Sequence, residues 1–199
     1  MKQVAIILDS PYGQTAKIGE RILWRLTRAG YTVHLFNLDP KADHPQIVLT
    51  RFDAVIIGGP IYVGKFPHHL TDWTRKNAAL INLMGPALFS VSLNAADPRP
   101  EARTTDARLI EEFAKETGIR TCMTASFKGA IHYREYGPIK RWLLRRISKA
   151  AGGPTDTSRD HELTDWGKVD EFADAFALHL IRSSLEAPVG VPLSKTTPT

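Results

Sequence analysis

Cysteine is nearly absent from this chain, since Cys122 is the only one among 199 residues. A single cysteine forms neither an internal disulfide nor a cysteine-based metal cage. Long apolar runs are also missing, because no stretch approaches the roughly 20 residues that a membrane-spanning helix needs. The apolar run at 4–8 is too short for a signal-peptide core, and no cleavage site follows it. We therefore expect a cytoplasmic protein.

Two glycine-rich nucleotide motifs are absent as well. The chain has no Gly-x-Gly-x-x-Gly, which lets a backbone approach a dinucleotide pyrophosphate, and no Gly-Lys-Ser/Thr of an ATP or GTP site. A mononucleotide, with its single phosphate held by neutral groups, fits this sequence better.

The positive charge is concentrated in one segment. The whole chain carries +5, while Lys128 to Lys149 contains seven Lys or Arg and one acid, Glu135. The rest of the chain is therefore close to neutral. A local basic patch favours a specific anionic partner: phospholipid, nucleic acid or an acidic ligand.

Short apolar runs alternate with segments of helical periodicity, which predicts five strands and four helices. Such an order is typical of a doubly wound parallel sheet covered by helices on both faces. Ligands of these folds bind beyond the carboxyl ends of the strands. The predicted strands are 4–8, 31–36, 53–58, 86–93 and 121–131; the predicted helices are 18–29, 66–83, 104–117 and one starting near Thr164.

One domain is expected over residues 1–182, followed by a disordered tail at 183–199 that is rich in Ser, Thr and Pro. Three tryptophans at helical apolar spacing are assigned to the core, and Cys122 is assigned to a strand as an inert small side chain. His68 and His69 predict a solvated helix start, and no metal site is expected. The last helix is expected to bury Trp166, Val169, Phe172, Phe176 and Leu180; the other two core tryptophans are Trp24 and Trp73.

The loop after the first strand is the candidate phosphate site. Hydroxyls at Ser10 and Thr15, together with free backbone N–H groups where a helix begins, suit a phosphate. The alternative is that the two hydroxyls only form a turn and a helix cap. The candidate residues are Ser10, Tyr12, Gly13, Gln14 and Thr15.

Two further loops are expected at the same edge of the sheet. Gly58 and Gly59 lead into a tight turn whose Tyr62 can stack on a flat ring, the alternative being an ordinary surface turn. The fourth strand ends in residues that can offer backbone groups to a ring edge. The candidates are Pro60, Ile61, Tyr62, Val63 and Gly64 in one loop, and Ser92, Leu93, Asn94 and Ala95 in the other.

Together the three loops resemble those of flavodoxins over about residues 1–182. The resemblance implies a five-stranded flavodoxin-like sheet in the order 2-1-3-4-5 that binds FMN. A basic insert at about 132–163 is similar to that of the flavodoxin-type, menaquinone-dependent protoporphyrinogen IX dehydrogenases. The matching features are Gly13-Gln14-Thr15, Ser90-Val91 with Leu93, Tyr133 and Tyr136, Gly152-Gly153 with Thr155-Asp156-Thr157, and Thr164-Asp165-Trp166.

This closer resemblance implies oxidation of protoporphyrinogen IX to protoporphyrin IX in heme biosynthesis, with FMN as cofactor and a membrane quinone as acceptor. The substrate would be bound by the insert, where cations can pair with its propionates. Pro11 and Tyr12 depart from the charged pair common in the family's phosphate loop, and His132 replaces a basic residue. The implied substrate-binding residues are His132, Tyr133, Arg134 and Tyr136.

The insert also contains a predicted amphipathic helix from Pro138 to Gly152. Its apolar face, with Trp142, either docks on an anionic membrane surface or packs on the protein itself. Membrane docking would place the protein peripherally on the inner face of the cell membrane. The candidate membrane-facing residues are Lys140, Arg141, Trp142, Arg145, Arg146 and Lys149.

Three other functions remain open from the sequence. A flavodoxin-like electron carrier or NAD(P)H:quinone reductase would use the same cofactor loops. A phosphoacceptor signalling domain would use Asp9, but it needs a second acid beside Asp9 and an aspartate at the end of the third strand, where Gly58 and Gly59 stand instead. Nucleic-acid binding through the basic helix would show a steep dependence on salt.

Overall fold

The computed structural model describes residues 1–40, 46–92, 100–131 and 161–186. The strands are β1 (Gln3–Leu8), β2 (Thr32–Asn37), β3 (Ala54–Pro60), β4 (Ala87–Ser92), β5 (Met123–Lys128), β6 (Ala130–Ile131) and β7 (His161–Glu162). The helices are α1 (Gln14–Arg28), α2 (His68–Leu83), α3 (Pro100–Thr117) and α4 (Trp166–Glu186), with a 3-10 turn at Leu49–Arg51.

Five parallel strands form one sheet in the order β2-β1-β3-β4-β5, which confirms the predicted order. Strand β1 lies inside the sheet, because it pairs with β2 on one side and with β3 on the other. Ligands of such folds bind at this part of the sheet. A second sheet consists of β6 and β7, paired antiparallel. The insert predicted after the fifth strand lies mainly outside the described residues.

The side chains of β1 alternate between two hydrophobic cores, one on each face of the sheet. Val4, Ile6 and Leu8 belong to one core, and Ala5 and Ile7 belong to the other. All five are fully buried, as expected for a strand covered on both faces. Because side chains alternate with a period of two, the register of β1 determines the face of the sheet on which the next residue of the chain lies.

Helices α1 and α4 cover the first face. Ile18, Ile22 and Leu26 of α1 recur at helical spacing and are fully buried. Arg21 of α1 donates two hydrogen bonds of 2.7 Å to the Asp170 carboxylate of α4. This bidentate pair holds the pKa of Asp170 below its usual range and aligns the two helices.

The residues at the end of α1 are those typical of a helix C-terminus. Gly30 has φ +92°, and the N–H of Tyr31 donates to the carbonyl of Leu26, which is the 6→1 bond of a Schellman motif. Arg25 and Arg28 in the last turn complement the negative end of the helix dipole.

The predicted fifth strand, 121–131, is wrong as a single element, because the structure divides it at Gly129. The N–H of Gly129 still donates to the carbonyl of Ser92 in β4, but the chain then leaves the sheet as β6. A glycine inside a strand pattern is the signal for such a break. Cys122 lies just before β5 and is exposed, so it is not a strand residue.

The prediction that Trp24 is a core residue is also wrong. Its side chain is 42% exposed on α1, and the guanidinium groups of Arg21 and Arg28 each lie 4.8 Å from its ring centroid. Cation–π contacts of this kind keep an aromatic ring on a charged surface. Trp73 and Trp166 are partly buried against the two cores, as predicted.

The last helix buries Val169, Phe172, Phe176 and Leu180, which confirms its predicted apolar face. It continues to Glu186, four residues into the segment expected to be a disordered tail, while residues 187–199 lie outside the described part. Among the described residues, no helix combines the length and apolar character needed to cross a bilayer.

Gly58 provides a test of how the core is packed at the end of β3. A Cβ atom there would lie 2.0 Å from Cζ of the fully buried Phe89, so we expect Gly58→Ala to lower the free energy of unfolding by about 1–3 kcal/mol. Urea unfolding measures the change. Gly167→Ala on α4 is the control, since its nearest neighbour would be Asp165 Oδ1 at 3.3 Å and the helix favours alanine. Equal unfolding midpoints for the two variants would contradict this packing.

Candidate functional site

The predicted phosphate loop forms a cradle at the N-terminus of α1. Gly13 precedes the helix with φ +84°, and the helical hydrogen bonds begin with the N–H of Lys17 donating to the carbonyl of Gly13. The N–H groups of Gln14 and Thr15 therefore have no intrahelical acceptor. The first turn of α1 contains no acidic residue, so the positive end of the helix dipole is not neutralised there.

The hydroxyl of Ser10 has the capping role, one of the two roles weighed from the sequence. Its Oγ accepts a hydrogen bond of 2.9 Å from the N–H of Ala16, which caps the start of the helix. The hydroxyl hydrogen remains available to a second acceptor, such as a phosphate oxygen. Ser10 is also fixed through its own N–H, which donates to Asn37 Oδ1 at 3.0 Å. The cradle is thus held rigidly by β2 as well as by α1.

Gln14 connects the cradle to the far end of the sheet. Its Nε2 donates to Thr164 Oγ1 at 2.7 Å, and the Thr164 hydroxyl donates to the carbonyl of Lys128 at 2.7 Å. Two sequence motifs that are 150 residues apart, Gly13-Gln14-Thr15 and Thr164-Asp165-Trp166, are therefore in direct contact. Gln14 Oε1 is buried without a hydrogen-bond partner, so it is an acceptor that a ligand hydroxyl can satisfy.

The loop after β3 is a tight two-residue turn. Tyr62 and Lys65 exchange backbone hydrogen bonds of 3.0 and 3.1 Å, and Val63 and Gly64 between them have φ +50° and +73°. Val63 is fully exposed at the tip, and Tyr62 is 42% exposed. Pro60 and Ile61 tie the loop to β4, because Pro60 is the last residue of β3 and the N–H of Ile61 donates to the carbonyl of Val91.

An aromatic contact joins this turn to the cradle. The rings of Tyr12 and Tyr62 lie edge to face, with centroids 5.7 Å apart. Two of the three predicted cofactor loops are thus brought together, and Tyr62 is held by a residue of the other loop. The edge-to-face arrangement is a favourable geometry for aromatic pairs.

The third loop is described only at its first residue. Ser92 is buried at the end of β4, and its hydroxyl donates a hydrogen bond of 2.6 Å to Asp106 Oδ2 on α3. Asp106 was missed by sequence reasoning because it lies in the middle of a helical pattern, where an acid usually faces solvent. Leu93, Asn94 and Ala95 lie outside the described residues.

Asp9, at the edge of the sheet next to the cradle, is 1% exposed. Its Oδ2 has no hydrogen-bond partner and lies 3.6 Å from Nε2 of His69, at the start of α2. Burial raises the pKa of the Asp9 carboxyl; the His69 charge opposes this shift and the nearby Asp39 carboxylate adds to it. His69 is exposed at the start of α2, which confirms the expected solvated helix start, while its contact with Asp9 was not predicted.

Strand periodicity indicates the face of the sheet on which Asp9 lies, but it does not indicate the partner of Asp9. Ala5 and Ile7 face the core under α2, so Asp9 continues on the α2 side, where His69 lies one residue into the helix. Because Asp9 and His69 are 60 residues apart in the chain, the sequence alone did not indicate their contact. The phosphoacceptor hypothesis requires an aspartate at the end of β3, but this strand ends in Gly58-Gly59-Pro60.

The predicted substrate-binding residues, His132, Tyr133, Arg134 and Tyr136, lie outside the described residues. So do the candidate membrane-facing residues between Lys140 and Lys149. In the described part of the chain, no three His, Cys, Asp or Glu side chains form a group that could hold a metal ion.

The raised pKa of Asp9 makes stability depend on pH. Because the folded state holds this proton more tightly than the unfolded chain, the stabilisation is present below the ordinary value of 3.8 and is lost as pH rises through the folded pKa. We expect Asp9→Asn to raise the melting temperature at neutral pH, with the gain disappearing at acidic pH. Thermal unfolding over a pH series tests this, with the exposed Glu111→Gln as control. A gain independent of pH would contradict the account.

Several known proteins are similar to this chain in sequence or in fold. A protoporphyrinogen IX dehydrogenase [quinone] of Escherichia coli strain K12 is 28% identical over 172 residues, covering 86% of this chain and 93% of the relative. One of Leishmania major is 29% identical over 135 residues, covering 68% and 58%. The solved structure of a short-chain flavodoxin associated with a non-canonical PDU bacterial microcompartment superposes with a TM-score of 0.55 at 11% identity, covering 92% of this chain and 99% of the flavodoxin.

The family assignment comes from a model of the flavodoxin domain, which matches residues 5–158. That range contains most of β1, all of β2 through β6 and all three candidate cofactor loops. This chain belongs to the flavodoxin domain family.

Proposed function

We propose that this protein is an FMN-dependent oxidoreductase that oxidises protoporphyrinogen IX to protoporphyrin IX and passes the electrons to a quinone. The observation that carries the proposal is the contact between Gln14 and Thr164 at 2.7 Å. It joins the phosphate loop to the Thr-Asp-Trp motif, which is one of the features shared with the protoporphyrinogen dehydrogenases. A relative of that name aligns over 86% of the chain.

The residues of the cradle fit the phosphate and ribityl chain of FMN. The N–H groups of Gln14 and Thr15 and the hydroxyl of Ser10 supply neutral donors to a phosphate at the helix N-terminus. The buried Gln14 Oε1 supplies an acceptor for a hydroxyl. No acidic side chain of the first turn opposes the negative charge.

FMN, when bound, supplies a ring that accepts electrons in pairs, and the protein supplies position and electrostatics. The loop from Pro60 to Gly64 would flank that ring on one side, with Tyr62 held in place by Tyr12. Residues 92–95 would flank it on the other side, where Asp106 fixes Ser92. His132, Tyr133, Arg134 and Tyr136 are proposed to bind the substrate, with Arg134 pairing with a propionate.

A second candidate function uses the same cofactor loops. An electron carrier or NAD(P)H:quinone reductase would also bind FMN, and the superposition with a short-chain flavodoxin reflects this shared fold. Peripheral contact with an anionic membrane is proposed from the charge of residues 128–149 alone.

Removal of the Ser10 hydroxyl should weaken FMN binding through its phosphate. We expect Ser10→Ala to raise the dissociation constant for FMN about tenfold, because a hydrogen bond to a charged group contributes about 1.5–3 kcal/mol. Fluorescence titration measures it. Riboflavin, which lacks the phosphate, should bind both proteins equally, and Thr27→Ala on the exposed face of α1 should bind FMN like the wild type. Equal losses for FMN and riboflavin would contradict the assigned role of Ser10.

The proposed reaction is tested by mixing FMN-loaded protein anaerobically with protoporphyrinogen IX. We expect the flavin absorbance to bleach while porphyrin fluorescence appears, since both report the same electron transfer. Flavin that stays oxidised with the porphyrinogen but is reduced rapidly by NADH would instead establish the reductase. Failure to bind FMN would overturn both functions.

A further inference from the structure

A cavity of about 400 Å³ opens beside the cradle, between the segment that follows β2 and the start of α2. Its size is within the range of small-molecule sites. Besides Pro40, four of its lining residues have apolar or aromatic side chains: Phe36, Leu38, Ile47 and Trp73. They belong to the partly buried shell of the core under α2, and none of them is used by the cofactor loops.

His69 is the titratable side chain that lines this cavity. Its Nε2 faces Oδ2 of Asp9 at 3.6 Å, and that oxygen is buried without a hydrogen-bond partner. An imidazole has two ring nitrogens, so while Nε2 faces Asp9 the other nitrogen can carry an N–H that donates to a ligand oxygen. The cavity therefore combines a flat apolar wall with a hydrogen-bond donor that is half exposed to solvent.

Among the described residues that line the cavity, none is an acid, a lysine or an arginine, which suits an uncharged ligand. Asp9 and Asp39 are both buried carboxyl groups, and they lie close enough for Asp39 to raise the pKa of Asp9. A neutral flat ring that carries carbonyl oxygens would meet apolar side chains and the His69 donor.

We propose that this cavity is the quinone site of the enzyme, with His69 donating a hydrogen bond and then a proton to one quinone carbonyl oxygen, and Asp9 acting through His69 as a positioning residue. The inference rests on the proposed function for its source of electrons. The side chains of Phe36, Ile47 and Trp73 would pack around the quinone ring.

The chemistry balances in electrons and protons. Reduction of a quinone to a quinol takes two electrons and two protons, and the electrons come from the porphyrinogen by way of the flavin. One proton comes from His69, which regains it from solvent because half of its side chain is exposed. The second proton comes from water at the open mouth of the cavity. Both carbonyl oxygens of the quinone become hydroxyls.

The cavity is structurally continuous with the cofactor loops. Asn37 lines it, and Asn37 Oδ1 accepts hydrogen bonds from the N–H of Ser10 at 3.0 Å and of Asp39 at 3.1 Å. Ile61, in the turn after β3, packs against the same core as Trp73. Asn37 therefore links the cavity directly to the phosphate loop.

Binding can be measured with menadione, a naphthoquinone without a lipid tail, by equilibrium dialysis against the oxidised, FMN-loaded full chain. We expect His69→Ala to weaken menadione binding about tenfold, through loss of a charge-assisted hydrogen bond. Ile47→Trp, which fills the cavity, should abolish binding. His69→Gln, which keeps an N–H donor, should restore part of the affinity. The matched control is His68→Ala, a neighbouring histidine that does not line this cavity.

A kinetic measurement separates this inference from the proposed function. The bound flavin is reduced by light with EDTA as the electron donor and is then reoxidised either by menadione or by ferricyanide, which needs no cavity. His69→Ala and Ile47→Trp should slow reoxidation by menadione only, and Asp9→Asn should do so to a smaller degree.

Wild-type behaviour of both variants toward menadione, or failure of the wild type to bind menadione, would overturn the quinone site. These measurements use no porphyrinogen. If the porphyrinogen failed to bleach the flavin while the menadione effects were present, the proposed substrate would be wrong and the quinone site would be supported.

Discussion

Complete burial of β1 on both faces of the sheet is the constraint on which the rest of the structure depends. Because its side chains alternate between two cores, the strand cannot slip by one residue without turning both sets to the wrong face. This register decides where the chain goes when it leaves the sheet. Asp9 continues toward α2, and the next residues turn into the N-terminus of α1.

Two chemically different sites follow from that alternation. On the α1 side, neutral donors and the helix dipole form a cradle that suits a phosphate. On the α2 side, His69 lines an apolar cavity that suits a neutral ring, and the buried carboxyl group of Asp9 lies next to His69. Asn37 touches both, since its side chain accepts from the backbone of Ser10 and lines the cavity. A cofactor and its electron acceptor would therefore occupy opposite sides of one strand end.

The strands and the position of the cradle could be predicted from local patterns in the sequence, because buried strands are short apolar runs and the candidate phosphate loop leads into a helix. The sheet order followed from the resemblance to flavodoxins and not from local patterns. The Asp9–His69 and Ser92–Asp106 pairs could not be predicted in this way, since they depend on which helix packs over which strand. Trp24 was misassigned because apolar periodicity does not distinguish a buried ring from one held between two guanidinium groups.

The most direct test of the account is a crystal structure of the FMN-loaded chain. We expect the phosphate to lie within hydrogen-bond distance of the Ser10 hydroxyl and of the N–H groups of Gln14 and Thr15, and the flavin ring to lie against Tyr62. A phosphate bound elsewhere, or a ring lying in the cavity between Phe36 and Trp73, would contradict it.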